Sequence, residues 1–173
     1  MKKLLLPLFL IGTIAMMVVM LKTGATLKTA ATPMGILDLE FAYNTTKTSA
    51  IINAWAPTTV LDNIAVAKVN TYWDFLFLFF YAGFLFMACK KIAANLKGPV
   101  AKAGNIIAKA ALLAGFLDVL ENAGMLITLH GHVSSAIAFC TTFISIIKWG
   151  LAIIAVLYVL TGLLVLAYRR IKY

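Results

Sequence analysis

Acidic side chains are scarce in this sequence: Asp and Glu number 6 among 173 residues, against 15 Lys and Arg, for a formal net charge of +9. Charged residues of both signs make up 12% of the chain, about half the fraction usual in a soluble domain. A water-facing surface cannot be built from so few, so the basic excess argues for membrane loops and anionic headgroups, and no nucleic acid is expected as a partner. Cysteine is equally sparse. Cys89 and Cys140 fall near opposite ends of two different apolar stretches, where a disulfide would have to cross most of a bilayer, so two free, buried thiols are expected. The two histidines, His130 and His132, flank Gly131; a catalytic zinc site takes about three protein ligands, and no neighbouring residue supplies the third. There is no Gly-rich phosphate loop, CxxC pair, HExxH or Ser-His-Asp set, so neither a metal nor a cofactor is expected.

What the chain has in abundance is apolar sequence, at 63%. Four stretches predict an all-α integral membrane four-helix bundle in one membrane domain over 1–173, with spans at about 4–21, 72–92, 103–129 and 134–168. The first is a charge-free run from Leu4 to Leu21, longer than the ~7 to 15 apolar residues of a secretory signal, so an uncleaved anchor is expected. The second has a core from Phe75 to Cys89 and draws on Tyr72 and Trp73 as interfacial anchors. Its Phe75, Phe77, Phe79, Phe80, Phe84 and Phe86 lie on all sides of the helix, a pattern of lipid contact and packing. The third is interrupted by Lys109, Asp118 and Glu121. The fourth, Val133 to Tyr168, carries only Lys148 and would be about 54 Å long as a helix, so it must tilt, project or break, with Gly150 as the candidate break.

Basic residues set the expected orientation. With the amino terminus inside, the inner segments hold Lys2, Lys3, Lys90, Lys91, Lys97, Lys102, Arg169, Arg170 and Lys172, whereas the outer segments hold Lys22, Lys28, Lys47 and Lys68. Both termini are thus expected in the cytoplasm of a bacterial plasma (inner) membrane. The outer loop, 22–71, contains Ile36, Leu37, Leu39, Phe41, Ile51, Ile52 and Trp55 and is too apolar to be a disordered linker. It should be partly helical. Thr59 and Asp62 match a capping box, which predicts a helix from about Val60 that runs directly into the second span.

Ionisable groups at membrane depth are costly and mark candidate sites. Asp118, Glu121 and Asn122 stand at i, i+3 and i+4, on one helix face. A minimal turn at His130-Gly131-His132 makes the third and fourth spans a hairpin, which brings Lys148 within about 4.5 Å of the level of Asp118. Similar counting across the turn at Lys97 and Gly98 sets Asp74 level with Glu121, with Tyr81 two turns along its helix. Asp74, Tyr81, Asp118, Glu121, Asn122 and Lys148 therefore form the candidate polar cluster. Full ionisation of three carboxyls beside one ammonium is implausible at low dielectric. Three resolutions stand open: an ion pair with hydrogen bonds as packing glue, a pocket for a small amphipathic or lipid-like molecule, or a proton or ion path.

The segments Leu39-Glu40-Phe41-Ala42, Trp55 ahead of Pro57, Asp74-Phe75-Leu76-Phe77 with Tyr81, and Asp118-Val119-Leu120-Glu121-Asn122 resemble an uncharacterised group of small bacterial four-span membrane proteins. The resemblance covers about residues 36 to 125 and implies a topology and a shared site, without naming a reaction. The layout alone is also similar to emopamil-binding and sigma-2-receptor-like proteins, four-span proteins with acidic residues facing a lipophilic pocket. An acidic intramembrane pocket for an amphipathic molecule is the leading expectation, with membrane lipids as neighbours. A structural subunit docked to membrane-protein partners, or a proton- or ion-coupled transport component, is the alternative. Whether the chain is an enzyme is left open by the sequence.

Overall fold

The computed structural model describes residues 2–172, which form helices α1 (Lys2–Thr23), α2 (Ile36–Glu40), α3 (Thr45–Ala54), α4 (Asn63–Ala94), α5 (Gly98–Leu129) and α6 (Ser135–Lys172), with a 3₁₀ turn at Ala25–Leu27. No strand occurs among the described residues. The fold is an all-α bundle in which α1, α4, α5 and α6 are long and apolar enough to cross a membrane. Helix α5 packs between α4 and α6, while α1 packs on the other side of α4. One end of the bundle carries α2 and α3 and is here termed the cap end. The opposite end carries Lys90, Lys91 and Arg169 and is termed the basic end.

Several helix boundaries differ from the sequence expectation. Helix α4 starts at Asn63, not Val60, because Asp62 is the residue that caps it, its carboxylate accepting the Ala65 N–H at 2.9 Å. The preceding residues are held in a turn of their own by Thr58, whose hydroxyl accepts the Leu61 N–H. Helix α5 begins at Gly98, five residues before the expected start at 103, with Pro99 in the first turn, where its missing N–H costs no helical bond. Helix α6 runs unbroken through Gly150, contrary to the expected break. A glycine alone does not interrupt a helix; it leaves the backbone hydrogen bonds intact, and at Gly150 there is open space beside the Cα. The turn from α5 to α6 is a Schellman closure: Gly131 at φ 95° donates its N–H to Thr128, and His132 donates to Ile127.

Packing divides into two cores. Toward the basic end, Ala82, Leu85, Ala88, Cys89, Ala108, Ala111 and Ala155 let α4, α5 and α6 approach closely, as small residues do where helix association rests on van der Waals contact. At the cap end, Leu27, Leu39, Ile51 and Trp55 of the loop pack on Ala67 of α4 and on Met125 and Leu129 of α5. Trp55 is fully buried, and its indole N–H donates to the Leu27 carbonyl at 3.1 Å and to the Thr32 hydroxyl at 3.1 Å. The loop between α1 and α4 is therefore a folded cap. Helix α1 is tied to α4 by Asn70, whose amide donates to the Met20 carbonyl and the Thr23 hydroxyl, and by Phe9 against Phe79 and Phe80. The cysteines are unpaired, but only Cys89 is buried. Cys140 is exposed on the outer face of α6, which corrects the expectation of two buried thiols; its neighbours Ala138, Thr141 and Thr142 are the residues that turn inward.

Candidate functional site

Three helices and the cap each contribute to one polar cluster. Helix α5 presents Asp118, Glu121 and Asn122 on a single face, all buried. Across the α5–α6 hairpin, the Lys148 ammonium reaches Glu121 Oε1 at 2.7 Å and Asp118 Oδ1 at 3.1 Å. Across the α4–α5 hairpin, Tyr81 donates its hydroxyl to Asp118 Oδ2 at 2.7 Å, and Asn122 Nδ2 donates to Asp74 Oδ2 at 2.8 Å. All six residues predicted from the sequence thus converge, but in two linked groups. Lys148, Asp118, Glu121 and Tyr81 form one, and Asp74 with Asn122 forms the other.

The cap supplies a residue that the sequence reading omitted from the site. Glu40, the last residue of α2, is 5% exposed and lies with its Oε2 3.5 Å from the Lys148 ammonium. The same oxygen accepts the Trp149 indole N–H at 3.1 Å. The Glu40 carbonyl accepts the Thr142 hydroxyl at 2.9 Å, and the Ser145 hydroxyl, which donates to the Thr141 carbonyl at 3.0 Å, lies 3.5 Å from it. The short helix is thereby fastened to α6 through both backbone and side chain. A signal for Glu40 was present: it is one of only six acidic residues, set within an apolar stretch of a loop. Trp149, Thr142 and Ser145 carried no such signal.

Lys148 has three donors and three carboxylates around it, so its hydrogen-bonding capacity is matched. The carboxylates are not matched in return. Asp118, Glu121 and Glu40 are gathered about one ammonium, and Asp74, held by Asn122, makes four of the chain's six acidic residues in the cluster. Glu121 Oε2 and Asn122 Oδ1 are buried and accept no hydrogen bond. Buried acceptors without donors are rare because each forfeits its hydration without replacement, at a cost of about 1–3 kcal/mol. Protons on the carboxyls, water, or donors of a bound molecule would each relieve the excess. The cluster is closed in this structure, with Glu121 and Asn122 wholly inaccessible and Lys148 5% exposed.

The other sequence candidates lie apart. His130 and His132 are exposed beyond the end of α5, and His130 Nδ1 contacts the Leu126 carbonyl of its own helix at 2.7 Å. No group of three or more His, Cys, Asp or Glu arranged to hold a metal ion occurs among the described residues. Comparisons of the chain with family models, with curated proteins and with solved structures give no match. The fold and the cluster define a membrane protein with buried charge, and function must be argued from the cluster itself.

Proposed function

We propose that the cluster binds the donor-rich head of a small amphipathic molecule, an amine foremost, with the cap segment around Glu40 as its cover. The observation that carries this is the surplus of acceptors: three carboxyls face one ammonium, a fourth, Asp74, is held only by Asn122, and Glu121 Oε2 and Asn122 Oδ1 accept nothing. A primary ammonium brings three donors and a positive charge, which matches both deficits. Depth supports an amphipathic ligand. From Asp74 to Lys90, and from Lys148 to Arg169, there are 16 and 21 residues, or about 24 and 32 Å of helix, against about 30 Å of hydrocarbon. With the basic end at one membrane surface, the cluster lies near the other, beneath the cap, where a polar head meets an apolar tail. The excess of Lys and Arg in the segments at the basic end supports placing that end in the cytoplasm of a bacterial plasma membrane.

Native mass spectrometry of the detergent-purified protein with dodecylamine, dodecanol and dodecanoate tests the head-group chemistry. The amine should be retained best and the carboxylate least; equal retention of dodecanoate would overturn the proposal. If protons alone neutralise the carboxyls, none of the three probes is preferred, and that result also overturns the proposal. Orientation is tested separately by reporter fusions. Those after Lys97 and Tyr173 should read cytoplasmic and one near Asn53 external, and an external carboxyl terminus contradicts the assignment.

A further inference from the structure

All six acidic side chains, Asp38, Glu40, Asp62, Asp74, Asp118 and Glu121, belong to the cap or to the helix segments near it. The basic end has none. Lys91 in the last turn of α4 and Arg169 near the end of α6 are exposed, and among the described residues no carboxylate pairs with either. Both line a groove of about 1040 Å³ that opens between α1 and α6 with α4 as its floor. Its walls are apolar, with Leu6 and Leu10 of α1 on one side, Leu163 of α6 on the other and Ile92 at the base.

The groove exists because α1 and α6 both pack on α4 but not on one another along their length. Glycines bring each wall close to the floor. Gly83 lies against the Phe9 ring and Gly162 against Ile92, so that a Cβ at either position would collide. The result is a channel sized for a hydrocarbon chain, with two cations at its mouth. Asn95 also lines that end and donates its amide to the Lys91 carbonyl.

We propose that this groove is a binding site for a phospholipid with an anionic headgroup, the acyl chain lying between α1 and α6 and the phosphate meeting Lys91 and Arg169. Basic pockets between helices on the cytoplasmic side are the usual form of such sites. The site is separate from the carboxylate cluster and does not depend on its function.

Native mass spectrometry of the full chain with phosphatidylglycerol or phosphatidylcholine of identical acyl chains tests it. The wild type should retain phosphatidylglycerol on the order of tenfold better, from two cations near the headgroup. The double variant Lys91→Gln/Arg169→Gln should lose that preference, and both positions are exposed, so folding is undisturbed. Leu163→Trp, which fills the groove from an exposed position, should weaken retention of both lipids while leaving the thermal midpoint in place. Equal retention of the two lipids by the wild type, or an unchanged preference in the double variant, would overturn the proposal; so would undiminished binding to the filled groove.

Discussion

The same three helices, α4, α5 and α6, are joined by opposite chemistry in their two halves. Toward the basic end the contacts are Ala and Cys against aliphatic and aromatic side chains, Tyr158 among them, and the helices meet mainly by shape. Toward the cap end they meet through Asp74, Asp118, Glu121, Asn122 and Lys148, with hydrogen bonds and ion pairs between 2.7 and 3.1 Å. Close packing of small residues would have served in both places, and it carries no penalty for desolvated charge. Buried ion pairs are weak evidence for stability, because the cost of removing both charges from water can exceed their attraction. The cap half is therefore the part whose composition stability does not explain, and it is where function is to be sought.

The contrast can be broken most severely at Lys148. Lys148→Met removes the only cation that the three carboxyls of Glu40, Asp118 and Glu121 face and should destabilise the protein by about 3–5 kcal/mol. Glu121→Leu leaves the ammonium with Asp118 and Glu40 and should cost less, and combining the two should cost less than the sum. Additive losses in denaturant or thermal unfolding of this double-mutant cycle would mean that the two groups do not interact. Tyr81→Phe deletes a hydrogen bond to a carboxylate that is otherwise shared only with Lys148, and a loss of about 1.5–3 kcal/mol is expected. In the apolar half, a Cβ at Gly115 would lie 2.7 Å from the Ala82 Cβ. Neither atom can rotate away, so Gly115→Ala should separate α4 from α5 and cost about 1–3 kcal/mol. A loss there as large as that of Lys148→Met would erase the distinction between the halves.

Much of this arrangement was legible in the sequence, because hairpins with short turns convert residue number into depth. The i, i+3, i+4 spacing put Asp118, Glu121 and Asn122 on one face, and counting back from the turns set Asp74 and Lys148 near their level, with Tyr81 two turns along α4 from Asp74. Contacts between a loop and a helix offer no such ruler. Glu40 and Lys148 are 108 positions apart, and nothing periodic connects them; only the folding of the cap, anchored by Trp55, brings them together. Boundaries failed for local reasons. Asp62, not Thr59, caps α4, and the backbone hydrogen bonds of α6 run through Gly150.

Glu40 of α2 lies over Lys148 and the cluster is closed, so the proposed binding requires side chains there to move. Glu121→Gln tests this most directly: it keeps the side-chain shape and one acceptor oxygen while removing the charge that an amine would meet. Thermal unfolding of the wild type and the variant would be recorded in the same detergent, with and without dodecylamine. Binding to the folded state raises the wild-type midpoint as amine concentration increases, and the variant should insert and fold yet lose most of that rise. An equal rise in both proteins, or none in the wild type, would contradict a ligand-binding role for the carboxylate cluster.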